Sequence, residues 1–255
     1  MSAAAISLVI PAWNEAAFLP RLLDSVDRAR SEFHLGADAV EVIVADNAST
    51  DATGSIAESR GCRVVPVEKR CIAAARNGGA AAANGENVAF ADADFRIAPQ
   101  AFNYIDTVVG TPGYLGGATG LTMERWSLGI RVTWNMIMPP LWMLGLDGGI
   151  WFCRRVDFET VGGFNDSVRA GEDVRFLAAL KRLGRTRQPR ERLATRFTAR
   201  KLGIPPAMTI NSTRKFDERG DWHMLADVAR GLPQMLLRGR GAADDYIDTY
   251  WYQGR

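Results

Sequence analysis

Two carboxylates, Asp92 and Asp94, follow an apolar run at 88–91 and lie one residue apart. The run predicts a buried strand, and ligands of open α/β sheets bind beyond the carboxyl ends of their strands. On an extended backbone both carboxylates point to the same side. Such a pair suits a hard divalent cation that takes further ligands from phosphate. Taken alone, the motif fits an ordinary strand-to-turn junction better, because Asp is common in turns.

The charges of the 255 residues nearly balance, with 31 Lys and Arg against 29 Asp and Glu, so the net charge identifies no partner, and no nucleic acid is expected. The range 181–201 is locally basic, with nine Lys or Arg and a single acid, Glu191. This cluster suits phosphate groups or an anionic membrane surface. A solvated helix face explains it equally well.

Cysteine content and the N-terminus favour a cytoplasmic protein. The chain has three cysteines, an odd number, and their spacing is not that of metal ligands. They are Cys62, Cys71 and Cys153, and we expect them to be reduced thiols. The first apolar run has no basic region before it and ends at residues 14–15, so no signal peptide is expected. No apolar stretch reaches the roughly 20 residues of a membrane-spanning helix. We therefore expect a cytoplasmic location, with or without peripheral contact at the inner face of the membrane.

Strands and helices alternate along the first part of the chain. Strands are predicted at 6–11, 40–45, 62–67 and 88–94, and helices after Asn14, which should cap the first, at 51–60 and at 71–83. This alternation predicts an α/β fold, a doubly wound and mostly parallel sheet with helices on both faces.

The turn after the first strand lacks the glycines of a dinucleotide-binding loop. It is Pro-Ala-Trp-Asn-Glu at 11–15, so a nicotinamide or flavin cofactor is not expected. Polar and aromatic side chains instead follow three strands, whose ends should meet at one sheet edge. They are Trp13 and Glu15, Asp46 and Asn47, and Asp92 and Asp94. Together with Arg76, whose guanidinium could contact phosphate or base, they suit a nucleoside diphosphate.

A series of motifs resembles the nucleotide-sugar domain of family 2 glycosyltransferases, which have the GT-A fold. The motifs are Val-Ile-Pro-Ala-Trp-Asn-Glu at 9–15, Ala-Asp-Asn-Ala-Ser-Thr-Asp at 45–51, Ala-Arg-Asn at 75–77, Ala-Asp-Ala-Asp at 91–94, Gly-Ile-Trp-Phe-Cys-Arg-Arg at 149–155, Val-Gly-Gly-Phe-Asn-Asp at 161–166 and Gly-Glu-Asp-Val-Arg-Phe at 171–176. The resemblance covers roughly 6–185. It implies a GT-A-like catalytic domain at 1–185 and a helical C-terminal extension at 186–255 that packs on the site or closes it.

The resemblance implies a role for each matching position. The nucleotide sugar would contact Pro11, Ala12, Trp13, Glu15, Asp46, Asn47, Arg76, Asp92 and Ala93, with Trp13 stacking on the base or bordering it. Asp94 would bind Mg²⁺ or Mn²⁺ directly, and Asp92 would support the ribose or the water shell of the metal. Asp173 would be the catalytic base, next to Glu172 in the first turn of a helix, whose dipole favours ionised carboxylates. The reaction would be a single displacement with inversion at the anomeric carbon.

Two departures from the family pattern bear on the substrate. Asn47 stands where many members have a second Asp that contacts uracil, so the donor base is open between uridine and another nucleoside. The Gln-x-x-Arg-Trp motif of processive members is absent, which predicts a non-processive enzyme.

The range 126–146 contains Trp126, Trp134 and Trp142 at intervals of eight residues, which places the rings on roughly one face of a predicted helix. Pro139 and Pro140 should break or kink that helix. A helix packed on the sheet explains the range. The alternative is an interfacial segment that, with 181–201, contacts a membrane and receives a lipid-linked acceptor.

The C-terminal part carries further candidates. An edge strand is predicted at 195–198, and Arg214 and Lys215 could clamp a diphosphate from a closing segment. His223 could complete a metal site, although a single His beside an amphipathic helix is more often structural. The tail at 244–252 could dock on the domain or form an oligomer.

The sequence therefore favours metal-dependent, inverting, non-processive transfer of a sugar from a nucleoside-diphosphate sugar to a saccharide or lipid-linked acceptor hydroxyl. Two alternatives stay open at this point. A nucleotidyltransferase uses similar metal and phosphate chemistry but usually has a Gly-rich basic first loop, and a nucleotide-sugar binding module would lack turnover.

Overall fold

The computed structural model describes residues 4–168 and 171–226. Its strands are β1 (Ile6–Ala12), β2 (Val40–Asp46), β3 (Arg63–Pro66), β4 (Asn87–Phe90), β5 (Tyr114–Ala118), β6 (Leu121–Met123), β7 (Trp151–Arg154), β8 (Arg192–Ala194) and β9 (Thr209–Asn211). Its helices are α1 (Leu19–Ser31), α2 (Thr53–Ser59), α3 (Ile72–Ala81), α4 (Ala101–Gly110), α5 (Leu128–Met143), α6 (Arg155–Val161), α7 (Glu172–Thr186), α8 (Thr198–Leu202) and α9 (Arg214–Arg219), with a 3-10 turn at Ala37–Ala39.

The main sheet has seven strands in the order β3-β2-β1-β4-β7-β5-β8. Neighbouring strands are parallel except that β7 runs antiparallel to both β4 and β5. This confirms the predicted mostly parallel sheet. Because the chain leaves β1 toward β2 and later returns to its other side as β4, a crevice forms where the connections diverge beyond the carboxyl ends of these strands.

Alternating side chains of β1 build a core on each face of the sheet. Leu8 and Ile10 pack with Leu22 of α1 and Ile105 of α4 on one face, whereas Val9 packs on the other with α3, α6 and α7. The second face contains four close aromatic rings below the crevice. They are Phe90, Phe158, Phe164 and Phe176. Burial of both faces explains the nearly continuous apolar sequence of β1 and β2.

Three local predictions are wrong. Asn14 does not cap α1, which begins after Phe18, because its Oδ1 accepts a hydrogen bond from Thr50 N at 2.8 Å. β4 ends at Phe90, and Asp92 and Asp94 lie in the following turn rather than on extended backbone. Helix α5 continues through both prolines to Met143, so the predicted break at Pro139 and Pro140 does not occur.

The segment after residue 185 is partly built into the main body. The strand predicted at 195–198 lies earlier in the chain, as β8, which pairs with β5, and α8 follows it. β9 pairs with β6 in a second sheet, and Ile210 exchanges two backbone hydrogen bonds of 2.9 Å with Arg96. These two hydrogen bonds connect the segment that follows Asp94 to the segment that leads into α9. The division at residue 185 stays a prediction, and 227–255, including the tail, lies outside the described residues.

The three cysteines form no disulfide. Burial raises the pKa of the Cys62 thiol to about 11, so the group is protonated at neutral pH. Across 4–168 and 171–226, no helix has the length and apolar character required to cross a bilayer.

Candidate functional site

A cavity of about 430 Å³ lies beyond the carboxyl ends of β1 and β4. Most of the sequence-predicted site residues line it. They are Pro11, Ala12, Trp13, Glu15, Asn47, Arg76, Asp92, Ala93, Asp94, Glu172, Asp173 and Lys215. The fold therefore brings residues from both ends of the family motif series into one space.

Arg76 is the buried link between the two acidic motifs. Its side chain is 2% exposed, and its guanidinium donates to Asp92 and to Glu172, each at 2.8 Å. The rings of Trp151 and Phe164 lie 4.7 and 5.1 Å from the guanidinium carbon. Arg76 is thus neither a surface charge nor an open phosphate ligand. It fixes the turn after β4 relative to the first turn of α7.

The charges around Arg76 act on Glu172 in opposite directions. Burial is the largest influence and raises the pKa of Glu172, Arg76 lowers it, and the neighbouring Asp173 raises it, so the net result is above the ordinary value. Burial alone would lower the pKa of Arg76, but Asp92 and Glu172 outweigh it, and the guanidinium keeps its charge. Asp92 and Glu172 are therefore held by one permanent positive charge.

Glu172 and Asp173 occupy the first turn of α7, as predicted from Gly171. Gly171 has φ +69° and precedes the helix in a left-handed conformation that glycine adopts at low cost. Asp173 lines the cavity and its Oδ1 accepts from Val174 N at 2.7 Å. In contrast to Glu172, Asp173 has no arginine among its described ion pairs.

Asn77, next to Arg76, holds the loop that leads toward α7. Its Nδ2 donates to Phe164 O at 2.8 Å, and its Oδ1 accepts from Phe164 N at 2.9 Å. The Ala-Arg-Asn motif therefore anchors two segments to α3. Arg76 holds the turn after β4 and the start of α7 through ion pairs, and Asn77 holds the loop around Phe164 through hydrogen bonds to its backbone.

The side-chain amide of Asn47 forms hydrogen bonds with the protein backbone. Its Nδ2 donates to Val67 O at 2.9 Å and to Lys69 O at 2.7 Å, and its Oδ1 accepts from Cys71 N at 3.0 Å. Both amide protons are thus engaged, and the side chain shapes the loop between β3 and α3. Asp46 stabilises the turn that follows β2, because its Oδ1 accepts a hydrogen bond from Ser49 N at 3.0 Å.

The loop held by Asn47 presents Arg70 to the cavity. The Arg70 guanidinium lies over the Trp13 ring, 4.5 Å from the ring centroid, and both residues line the cavity. A planar cation stacked on an aromatic ring gives a surface that suits a nucleobase. Sequence reasoning missed Arg70, because its place over Trp13 depends on the loop conformation that Asn47 fixes.

We expect Asn47→Asp to lower the free energy of unfolding by about 2 kcal/mol, because a carboxylate cannot donate to the Val67 and Lys69 carbonyls. Urea unfolding would measure the loss. Asn165→Asp is the matched control, since Asn165 is exposed and its Oδ1 accepts from Ser167, a role that a carboxylate keeps. Equal stability of the two variants would contradict the structural role of Asn47.

Glu15 and Arg214 form a buried ion pair at the other side of the cavity. Their side chains are 4% and 12% exposed, and Arg214 donates to the two Glu15 oxygens at 3.0 and 3.2 Å. The same guanidinium lies 3.6 Å from Asp94 and over the Phe18 ring. Glu15 therefore orients Arg214 toward the carboxylate predicted to bind metal, and Lys215 follows on the cavity wall.

His223 makes structural contacts. Its Nδ1 lies 2.8 Å from Gly220 O, and its ring packs on Phe216. Among the described residues, no three His, Cys, Asp or Glu side chains cluster closely enough to hold a metal ion by themselves. A metal at Asp94 would therefore need ligands from a bound diphosphate and water, as Mg²⁺ usually does.

The remaining wall of the cavity has a large apolar part beside the polar Asp147, Asn211 and Ser212. It includes Leu121, Met138, Leu141, Leu146, Leu177 and Met224. Asp147 also lines the cavity, and Arg196 donates to it from its backbone N and Nε at 2.9 Å and from Nη2 at 2.8 Å, with the Asp147 side chain fully buried. This ion pair holds the end of α5 against β8. It was missed because Asp147 and Arg196 are far apart in the sequence and belong to no motif.

The tryptophans of the range 126–146 pack against other side chains of the domain. The Arg196 guanidinium lies 5.4 Å from the Trp134 ring and 4.4 Å from the Trp142 ring, which confirms that these two share a helix face. Trp126 precedes α5 and packs on Trp134. The tryptophan rings therefore belong mainly to the domain's own packing.

Residues 7–108 match the family model of Glycosyl transferase family 2. This part of the chain is thus similar to the glycosyltransferase domain of family 2. Over 118 residues it is 30% identical to the Putative glycosyltransferase EpsH of Bacillus subtilis (strain 168), an alignment that covers 44% of this chain and 32% of the relative. The chain thus aligns with less than a third of that relative's length.

Solved structures share the fold of this chain, the GT-A fold. The mannosyltransferase PcManGT from Pyrobaculum calidifontis, in complex with GDP-Man and Mn²⁺, has a TM-score of 0.61 at 20% identity, covering 99% of this chain and 70% of its own. S. aureus TarS 1–349, in complex with UDP, has a TM-score of 0.60 at 16% identity, covering 81% of this chain and 60% of its own.

Proposed function

We propose that this chain transfers a sugar from a nucleoside-diphosphate sugar to an acceptor hydroxyl, with a divalent metal and with inversion at the anomeric carbon. The observation that carries the proposal is that Asp92, Asp94, Glu172 and Asp173 line one and the same cavity, with Arg76 buried between Asp92 and Glu172. An inverting transferase must bind the diphosphate and accept a proton, and carboxylates suited to each of these roles line the same cavity.

The donor nucleotide is expected to bind at the ends of β1 and β2. Trp13 and Arg70 offer the stacking surface, and we propose that they, rather than the engaged amide of Asn47, contact the base. We expect Lys215, which lines the cavity, and Arg214, which lies 3.6 Å from Asp94, to neutralise the diphosphate. The UDP of TarS and the GDP-Man of PcManGT are nucleotides of this class, which supports the donor type and leaves its base open.

The carboxylates fit a divalent metal. Asp94 and Asp92 line the cavity with side chains 18% and 32% exposed, and their hard oxygen atoms are the ligands that Mg²⁺ and Mn²⁺ prefer. When bound, the metal offsets the charge that develops on the departing diphosphate. The Mn²⁺ in the PcManGT complex supports this choice of ion.

Asp173 is proposed to accept the proton of the acceptor hydroxyl. The acceptor oxygen forms a bond to the anomeric carbon while the bond from that carbon to the diphosphate oxygen breaks on the opposite face. The helix dipole favours the ionised form of Asp173 that this step needs. Glu172 is assigned a positioning role, because Arg76 occupies its Oε1.

The apolar wall bears on the acceptor. Met138, Leu141 and Leu177 lie in the same cavity as Asp173 and offer few hydrogen bonds to a free sugar. We therefore propose a lipid-linked acceptor in preference to a free saccharide, since an amphiphile can bury apolar surface against this wall.

Proton NMR of donor hydrolysis tests the chemistry without a known acceptor, because water can take the place of the acceptor hydroxyl. With a panel of α-linked nucleotide sugars and Mn²⁺, the β anomer of the free sugar should appear first for at least one donor. Initial release of the α anomer would contradict inversion. No nucleoside diphosphate released from any donor would favour the non-catalytic binding module.

A further inference from the structure

The outward face of α5 is apolar and exposed. Met136, Ile137, Met143 and Leu144 are 58%, 41%, 88% and 57% exposed, and exposed Pro140 lies between them. Positions 136, 140, 143 and 144 fall on one side of a helix. We call these five residues the α5 stripe. A contiguous apolar surface of this kind usually marks an interaction site.

Positive charge surrounds the C-terminal end of the α5 stripe. Lys181 Nζ donates to Leu144 O, which places α7 next to this end. From residue 174 to 190 the chain contains no acid, and Arg182 and Arg185 are exposed on α7. On the other side, Phe197 is 50% exposed and packs on Trp142, and the exposed Arg200 and Lys201 follow it on α8.

The opposite side of the same helix belongs to the cavity. Met138 and Leu141, which alternate with the stripe, line the cavity together with the proposed base Asp173. A single helix thus has one apolar face toward the cavity and another toward the exterior, with basic residues at its end. Apolar side chains beside exposed Lys and Arg are the combination that binds the interface of an anionic bilayer.

We propose that the α5 stripe docks the domain on an anionic lipid surface, with the basic residues of α7 and α8 contacting the headgroups. The contact is formed by Met, Ile and Leu side chains, not by the tryptophans that the sequence singled out. The link to a membrane-borne acceptor rests on the proposed function, whereas lipid binding itself does not.

Vesicle flotation of the full chain tests the proposal, with phosphatidylcholine vesicles alone and with phosphatidylglycerol added. Binding should require the anionic lipid and weaken with salt. Met136→Glu with Met143→Glu should lower the partition coefficient at least ~10-fold, since two carboxylates enter the apolar face. Arg182→Ser with Arg185→Ser should lower it by about fivefold for each charge in contact with headgroups.

Val156→Glu is the matched control, because Val156 is 60% exposed on α6, outside the α5 stripe, and its variant should bind like the wild type. Absence of anionic-lipid binding by the wild type, or full binding by the stripe double variant, overturns the proposal. Self-association lost only in the stripe variant, with no lipid binding, would identify the stripe as a contact between two copies. Donor hydrolysis measured without vesicles reports separately on the proposed function.

Discussion

Asp173→Asn is expected to lower kcat by about 10²- to 10⁴-fold, the usual contribution of a general base. An amide is close to isosteric with the carboxylate and can still accept from Val174 N, so the first turn of α7 should keep its geometry. Donor affinity should change little, because Asp173 is assigned to the acceptor side of the reaction. Stopped assays of nucleoside diphosphate release, with donor binding measured by calorimetry, separate these two effects.

Asp38→Asn is the control for this variant. Asp38 is an exposed acid in the 3-10 turn between α1 and β2, and its loss should leave both constants unchanged. If Asp173→Asn kept at least half of the wild-type kcat, the base would have to be another group. If donor affinity fell as strongly as kcat, Asp173 would belong to the donor site.

Arg76→Met should have the largest effect on stability, a loss of about 3 kcal/mol in the free energy of unfolding. Removing one partner of a buried ion pair leaves uncompensated charge, here on Asp92 and Glu172, which is strongly destabilising. Methionine keeps much of the apolar volume against Trp151 and Phe164. Urea unfolding at neutral pH measures the loss.

Arg63→Met is the matched control, because Arg63 is 52% exposed and lies 3.7 Å from Glu41, and surface pairs of this kind contribute at most about 1 kcal/mol. The double variant Arg76→Met with Glu172→Gln should recover part of the lost stability, since one of the two stranded charges is gone. Equal losses in the two arginine variants would contradict a central role for Arg76.

The effect of Arg76→Met should also depend on pH. Burial already raises the pKa of Glu172, and loss of the arginine removes the main opposing influence, so the folded-state pKa should rise further. A carboxyl group with a raised folded-state pKa contributes stability below its unfolded pKa and loses it as pH rises through the folded value. The deficit relative to wild type should therefore be small near the ordinary value of 4.5 and grow toward neutral pH. A deficit that grows on acidification would contradict this account.

The architecture could be predicted because each early strand is short, apolar and followed by a helix. Alternation predicts β1, β2 and β3 to within about a residue, and the motif series brings the two acids of α7 into the same cavity as Asp92 and Asp94. Boundaries failed where a tertiary contact competed with a local preference. Asn14 binds Thr50 instead of capping α1, and α5 passes through two prolines near its C-terminal end.

The contacts inside the site could not be predicted from single residues. The sequence suggests Arg76 as a contact for phosphate or base, whereas the fold buries it between Asp92 and Glu172. Asn47 reads as a ligand contact until its amide meets three backbone groups. These contacts depend on which segments the sheet brings together, so they cannot be predicted from the residues next to each position in the sequence.

The most direct test of the donor site is a thermal-shift measurement with nucleoside diphosphates and nucleotide sugars, each with and without Mn²⁺. A ligand at 100 times its Kd adds about 2.7 kcal/mol to stability, which corresponds to roughly 5–10 °C in Tm for a domain of this size. We expect a Mn²⁺-dependent shift for one nucleotide that is absent in Asp94→Ala and present in Asp38→Asn. A shift of equal size in Asp94→Ala, or no shift with any nucleotide, would contradict a metal-assisted nucleotide-sugar site at this edge of the sheet.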